Sequence, residues 1–337
     1  MYEQFFGFRE RPFDLTPNPR YLVMTDMHRE ALSNLRYAIS SRKGITLLVG
    51  ESGAGKTTVI RAAIDAQSQR VHYVHLHNPA LTREEFVEML SAQFGLGERA
   101  RTSKTALLLE LEQLLRERRR SDETTVLIVD EAQSLPLDLI EEIRLLANIE
   151  TESDKLLSVI IAGQPEIAQR LNEPSLRQLK QRIALRCELK PLTLQETGAY
   201  IAGRIRAAGG VAAQVFTREA VFMLYEQAKG VPRTINVLAD NSLLAAFALA
   251  QRPVGTDVVR EVCRDFDFGG LKEPAKNPPP EAAAAPVVAS VREAPTPAPG
   301  KILALDAPPQ PEASTSEYQT IFNDAQPKRW RFSFFSR

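Results

Sequence analysis

Residues 50–57, GESGAGKT, have a spacing that can hold phosphate groups. The pattern is G-x-x-x-x-G-K-T, and it lies between an apolar stretch, GITLLVG at 44–50, and a helical stretch, TVIRAAIDAQ. Glycines at these positions let backbone amides curl around an anion at a helix N-terminus, where the helix dipole also favours negative charge. A glycine turn with an unrelated lysine is the alternative, but the flanking strand and helix favour a phosphate loop.

The phosphate loop predicts roles for individual residues. Lys56 should reach the β- and γ-phosphates of a bound nucleotide, and the Thr57 hydroxyl should bind magnesium. The nucleotide-binding residues predicted in this segment are Gly50, Glu51, Ser52, Gly53, Ala54, Gly55, Lys56, Thr57 and Thr58.

Two adjacent carboxylates follow another apolar stretch, TVLIVD at 125–130. Asp130 ends a predicted strand and can join Thr57 in the magnesium shell, whereas Glu131 points elsewhere and can polarise the attacking water. The pair could instead cap the following helix. Because binding a nucleotide needs the aspartate but not the glutamate, the pairing favours ATP hydrolysis with Mg²⁺.

Gln164 directly follows the apolar stretch LLSVIIAG, residues 156–163. Since open parallel sheets bind ligands at the carboxyl ends of their strands, Gln164 should emerge at the same edge as the carboxylates. Its amide is expected to touch the γ-phosphate or to order the attacking water. The alternative is a polar residue in an ordinary strand-to-helix turn.

Arg233 lies near a predicted helix start in KGVPRTIN, residues 229–236. Gly230 and Pro232 are typical of one helix ending and the next beginning. A cation in the first turn of a helix is unfavourable by roughly a few tenths of a kcal/mol, unless an anion lies in front of it. We predict that this anion is the γ-phosphate; an ordinary solvated side chain is the alternative.

Arg182, in LRQLKQRIALR, is a second candidate catalytic cation. It lies beyond the strand that precedes Gln164, away from the phosphate loop, and suits reaching into a neighbouring subunit. Such an arginine finger requires head-to-tail assembly, and hence a homo-oligomer. Arg177 and Arg186 are nearby rivals, and a solvated or salt-bridged role remains an alternative.

Apolar strands and helical stretches alternate before residue 192, with strands predicted at 44–50, 71–76, 125–130 and 156–163. This alternation predicts an α/β fold with a parallel sheet covered on both faces. After Leu192 only helical patterns follow, which predicts a small all-helical lid domain. The predicted divisions are an α/β nucleotide-binding domain at 1–191, a lid at 192–270 and a disordered tail at 271–337.

Bulk composition excludes several classes of protein. Lys+Arg and Asp+Glu both number 42, so the net charge of zero is no footprint for wholesale nucleic-acid binding. The two cysteines, Cys187 and Cys263, are far apart and fit a reduced, cytoplasmic compartment. The N-terminus is not expected to be a signal peptide, and no apolar run is long enough to predict a membrane span. His75 and His77 would share a strand face and form a conceivable metal pair, although no acidic residue lies at ligand spacing.

The predicted tail is rich in proline and ends in a basic and aromatic segment. Twelve of the 22 prolines lie from Pro274 onward. The chain closes with PKRWRFSFFSR, where Lys328, Arg329, Arg331 and Arg337 interleave with aromatic rings. Such a segment could bind peripherally at the inner membrane, hook a partner protein or stack on single-stranded nucleic acid. A functionless end is the alternative.

Taken in order, the phosphate loop, LIVDEAQ, AGQPE, QRI and GVPRTIN resemble the motifs of the AAA+ ATPases. Among the AAA+ ATPases, residues 1–270 are similar to the ExeA-like branch, the general secretion pathway protein A family. The similarity includes the opening MYEQFFGFRERPFDLTPNPRYL and the segment EEIRLLANIET before the strand predicted at 156–163. The resemblance implies that Lys56 and Thr57 form Walker A, Asp130 and Glu131 Walker B, Gln164 sensor 1 and Arg233 sensor 2. It also implies that residues 17–21 lie near the adenine.

The resemblance implies an ATPase that powers or regulates assembly of a cell-envelope secretion, pilus or polysaccharide export system, with a partner protein of that system. Fuller members of the family carry a transmembrane helix and a peptidoglycan-binding domain after the ATPase, where this sequence has its Pro/Ala-rich stretch. Two alternatives remain: a DNA-associated regulator of the transposition type, and an ATP-gated scaffold that does not hydrolyse. An ATPase that hydrolyses ATP requires Glu131, whereas a scaffold that only binds ATP does not require this residue.

Overall fold

The computed structural model describes residues 1–15, 24–67, 70–77, 81–152 and 154–266. The expectations for residues 17–21, and for the tail at 271–337, lie outside these residues.

A five-stranded parallel sheet forms the centre of the fold, with the strand order β2-β3-β4-β1-β5. Its strands are β1 Ile45–Gly50, β2 Val71–Leu76, β3 Thr124–Val129, β4 Leu157–Gly163 and β5 Ile183–Leu189. Because all neighbours are parallel, the loops after β1, β3 and β4 leave the sheet at one edge. The predicted α/β fold with a parallel sheet is therefore confirmed.

The three central strands are buried along their whole length. Every residue of β1, β3 and β4 is buried, as expected for strands covered on both faces. Side chains alternate between two apolar clusters: Leu47 and Val49 belong to one, and Leu48 belongs to the other. This packing fixes the strand register, because a slip of one residue would exchange the two faces.

Helices cover both faces of the sheet. Their bounds are α2 Asp26–Ser40, α3 Lys56–Asp65, α4 Arg83–Phe94, α5 Glu98–Thr102, α6 Lys104–Arg120, α7 Leu137–Leu146, α8 Pro165–Arg170 and α9 Arg177–Lys180. Helices α2 and α3 contribute to the cluster that contains Leu48, whereas α4, α6 and α7 contribute to the cluster that contains Leu47. Helix α3 begins at Lys56, directly at the end of the phosphate loop.

Strand β5 is absent from the strands predicted by sequence. It pairs with β1 at one edge of the sheet, and its residues Ala184, Arg186 and Glu188 are exposed. An edge strand with one solvent-exposed face lacks the continuous apolar run that identifies the central strands. Arg186, predicted as a rival finger, is therefore part of a sheet edge.

The described chain after Leu192 is helical, as predicted. Its helices are α10 Leu194–Ala207, α11 Arg218–Ala228, α12 Pro232–Ala248 and α13 Thr256–Asp265. Their shared core also takes in Phe6, Phe8 and Phe13 from the segment around α1, Tyr2–Phe6. The start of the chain thus packs with its last described helices, which local sequence patterns do not reveal. The domain boundaries proposed from sequence stay a prediction.

Among the described helices, none has both the length and the apolar character needed to cross a bilayer.

Candidate functional site

The loop after β1 has the backbone conformation that its glycines permit. Gly53 and Gly55 have φ angles of 80° and 95°, in the left-handed region, and Gly55 is the N-cap of α3. A Cβ on Gly50 would lie 2.9 Å from the backbone oxygen of Leu189 in β5. Gly50 thus packs closely against β5, and the loop ends at the N-terminus of α3. The first backbone amides of a helix have no hydrogen-bond partner within it and are available to an anion.

Lys56 is folded back onto the loop. Its Nζ donates to the backbone oxygens of Gly50, at 2.8 Å, and Glu51, at 3.1 Å, and the residue is 5% exposed. Burial lowers the pKa of Lys56, and the fields of Glu131 and Asp130 partly offset this effect. A buried amine is thus held beside the loop and within the field of both predicted carboxylates.

Thr57 and Asp130 meet at the carboxyl edge of the sheet. Thr57 Oγ1 donates to Asp130 Oδ2 at 2.9 Å. Burial acts to raise the pKa of Asp130, but the neighbouring His75, the Thr57 hydroxyl and the Glu131 amide together hold it below its ordinary value. A hydroxyl and an ionised carboxylate in contact are the oxygen ligands that Mg²⁺ prefers, so these residues fit the cation predicted for them.

Glu131 and Gln164 are brought together as the sequence expects of one sheet edge. Gln164 Nε2 donates to Glu131 Oε2 at 3.3 Å. Gln133 Nε2 donates to the same oxygen at 2.6 Å. No role was predicted for Gln133, and its nearness to the carboxylates within LIVDEAQ is the one signal in the sequence that points to it.

Arg233 lies at the phosphate loop through its backbone. Helix α12 begins at Pro232, as predicted, and Arg233 N donates to Gly53 O at 3.3 Å. A Cβ on Gly53 would lie 2.4 Å from Arg233 Cβ, so a residue with a side chain at position 53 would collide with α12. The Arg233 side chain is exposed. The helix start is thus placed where a cation can face phosphates bound at the loop.

Arg182 lies outside this group, between α9 and β5. Its side chain is exposed and donates to Asn148 Oδ1, just after α7. Arg177 is also exposed. In the described part of the chain, no hydrogen bond or ion pair joins Arg182 to the phosphate loop. This position agrees with the expectation that Arg182 lies away from the loop of its own chain.

The histidines of β2 lie beside Asp130. The ring centroids of His75 and His77 are 3.6 Å apart, and His75 Nε2 lies 3.6 Å from Asp130 Oδ2. The described residues contain no group of three His, Cys, Asp or Glu side chains arranged to hold a metal. His75 lies close enough to Asp130 for its imidazole to be one cause of the lowered pKa of that carboxyl.

His28 of α2 is a second residue near the phosphate loop for which the sequence predicts no role. Its Nε2 lies 3.3 Å from Ala54 O in the phosphate loop, and its Nδ1 lies 2.7 Å from Thr25 Oγ1. Burial lowers the pKa of His28, which favours the neutral ring. Because His28 precedes the loop by many residues, only the tertiary packing of α2 reveals this contact.

Comparison with known proteins agrees with these motifs. Residues 39–171 match the model of the AAA domain family. Over 252 residues the chain is 41% identical to general secretion pathway protein A of Aeromonas hydrophila. The chain belongs to the ExeA-like family of AAA+ ATPases. The aligned region covers 74% of this chain but 45% of that relative, so the ExeA-like chain spans about half of the relative's length.

Solved structures share the fold of this ExeA-like chain. The ORC2 protein of Aeropyrum pernix superimposes with a TM-score of 0.58 at 16% identity, covering 76% of this chain and 71% of that chain. A Walker-type ATPase of Pyrococcus abyssi has a TM-score of 0.53 at 19% identity, covering 78% and 79% of the respective chains. At these identities the likeness shows the fold alone.

Proposed function

We propose that this ExeA-like chain hydrolyses ATP at the carboxyl edge of its sheet. The observation that carries the proposal is the convergence of three strand ends: Lys56 follows β1, Asp130 and Glu131 follow β3, and Gln164 follows β4. Separate segments thereby supply a phosphate-binding amine, magnesium ligands and a carboxylate that can serve as a base.

Each residue has a task in the proposed reaction. Lys56 and the loop amides bind the β- and γ-phosphates, and Arg233 faces the γ-phosphate from α12. Thr57 and Asp130 hold Mg²⁺, which neutralises charge on the phosphate oxygens when it is bound. Glu131 accepts a proton from the attacking water, and Gln164 orients that water. Hydrolysis would then remove the anion that Arg233 faces, which loosens α12 from the loop.

We infer that this activity powers or regulates assembly of a cell-envelope secretion, pilus or polysaccharide export system. The support is the 41% identity to general secretion pathway protein A. In this proposal the chain is cytoplasmic, assembles as a homo-oligomer, engages an envelope-assembly partner protein and contacts the inner membrane peripherally through its tail.

The proposed function is tested by ATP turnover, measured with and without DNA, alongside recovery of partner proteins from solubilised membranes. We expect magnesium-dependent turnover that DNA leaves unchanged, together with capture of an envelope protein. Salt-sensitive stimulation by DNA would favour the transposition-type regulator instead. Tight ATP binding without turnover would favour the scaffold.

We propose further that Arg182 completes the site of a neighbouring subunit. Arg182→Ala should then lower turnover by about 10³-fold, because the finger stabilises charge in the transition state. Mixing this variant with Glu131→Gln protein should restore part of the activity, since one mixed interface unites an intact base with an intact finger. Turnover over a series of mixing ratios measures the recovery.

The matched control is Arg177→Ala, which removes a neighbouring exposed arginine. It should retain turnover if Arg182 is the finger. If the Arg182 and Glu131 variants co-assemble and yet no mixture recovers activity, Arg182 does not act in trans.

A further inference from the structure

Gln133 makes hydrogen bonds from both ends of its side-chain amide. Its Nε2 donates to Glu131 Oε2 at 2.6 Å, and its Oε1 accepts from the backbone amide of Gln164 at 3.0 Å. A backbone N–H can only donate, so the Gln133 oxygen must face Gln164. The side-chain nitrogen is thereby directed at Glu131, and the orientation of the amide is fixed.

The backbone around Gln133 is held just as closely. Gln133 lies in a three-residue 3-10 helix, Ala132–Ser134, and its carbonyl accepts from Arg170 Nη1 of α8 at 2.6 Å. A Cβ on Gly163, at the end of β4, would lie 3.0 Å from Gln133 Oε1. The absence of a side chain at position 163 lets the glutamine lie against the strand end. Gln133 is thus fastened to both β4 and α8.

The backbone of Glu131 has an unusual conformation. Its φ is 50° and its ψ is 37°, a left-handed conformation that costs about 1 kcal/mol for a residue with a side chain. Two amide donors, from Gln133 and Gln164, converge on one of its oxygens, Oε2. Two donors on one oxygen restrict rotation of the carboxylate and fix the direction of the other oxygen, Oε1.

We propose that Gln133 is a positioning residue that holds the Glu131 carboxylate in line with Gln164 for activation of the attacking water. This inference rests on the proposed function, because it assigns Gln133 a task through Glu131. Gln133 ties the base to the end of β4, so the two residues that act on water keep one geometry. A small misplacement of a catalytic group can cost about 10²-fold in rate.

Two variants separate the bonds of Gln133. Gln133→Glu keeps the side-chain shape and the acceptor for the Gln164 amide, but it replaces the donor with an oxygen that repels Glu131. Gln133→Ala removes both bonds. We expect each variant to lower kcat by about 10-fold to 100-fold, with the KM and the dissociation constant for ATP changed less than about twofold. Ser134→Ala, an exposed neighbour on the same 3-10 helix, is the matched control and should keep the wild-type kcat.

A double-mutant cycle tests whether Gln133 acts through Glu131. Gln133→Ala should add no further loss of kcat in a Glu131→Gln background, because no base remains to be positioned. Wild-type kcat in Gln133→Glu, or losses that add in the double variant, would overturn the inference. A parallel loss of ATP affinity would also overturn it by assigning Gln133 a structural role.

Crystal structures of wild-type and Gln133→Glu protein test the positioning role of Gln133 independently of ATP turnover. In the variant, we expect the Glu131 carboxylate either to move or to adopt more than one orientation. An unmoved carboxylate would overturn the role of Gln133, whereas absence of ATP turnover in the wild-type protein would instead overturn the proposed function.

Discussion

Replacing Lys56 with alanine is expected to abolish nucleotide binding, with the dissociation constant for ATP rising by about 100-fold or more. The amine is buried and lies within the field of Glu131 and Asp130. Without it, two carboxylates would face the anionic phosphates with no lysine charge between them. The backbone oxygens of Gly50 and Glu51 would also lose their donor. Titration with a fluorescent ATP analogue in the presence of magnesium measures the affinity.

Lys43→Ala is the matched control for this loss of charge. Lys43 is half-buried and lies over the ring of Tyr37, with its Nζ 5.4 Å from the ring centroid, at the start of the stretch that leads into β1. This variant should bind ATP like the wild type. Thermal unfolding of both variants checks that each remains folded. If folded Lys56→Ala protein binds ATP within about threefold of the wild type, the loop at 50–57 is not the phosphate site.

Local sequence patterns were sufficient for the central sheet and for the phosphate loop. Strands β1, β3 and β4 are buried on both faces, so each appears in the sequence as an unbroken apolar run. Asp130 and Gln164 come immediately after their strands, and Lys56 comes after the short loop that follows β1. These positions at the carboxyl ends of strands predicted that the three residues lie at one edge of the sheet before the strand order was known. Parallel pairing then brings the three strand ends together.

The features that sequence analysis missed depend on contacts between distant segments. Strand β5 exposes alternate side chains at the sheet edge, so its pattern is weak, and only pairing with β1 identifies it. His28 reaches the phosphate loop from α2, and Phe6 packs with helices from the other end of the described chain. Chain folding, rather than spacing, determines such contacts.

Gln133 shows a different limit of sequence reasoning. It lies two residues after Glu131, so its proximity was evident, but the direction of its side chain was not. That direction follows from the left-handed backbone at Glu131, the 3-10 turn after it and the open space at Gly163. A residue type that suits an ordinary turn gains a specific contact only through this backbone geometry.

Glu131→Gln is expected to bind ATP with wild-type affinity and to hydrolyse it at least about 100-fold more slowly. The substituted side chain has nearly the same shape, and its oxygen can still accept from Gln133 and Gln164, which now bond to Glu131 Oε2. An amide, however, cannot take the proton of the attacking water. Equilibrium binding of an ATP analogue and single-turnover hydrolysis measure the two effects separately.

Glu166→Gln distinguishes loss of a base from loss of a nearby charge. Glu166 is exposed at the start of α8, and its carboxylate acts on Lys56 through its field, as that of Glu131 does. If Glu131 takes the proton, only its own variant should slow hydrolysis. Equal slowing in both variants would mean that negative charge near Lys56, rather than proton transfer, governs the rate. Wild-type turnover in Glu131→Gln would exclude Glu131 as the base, and the search would then move to another group that can reach the attacking water at the same sheet edge.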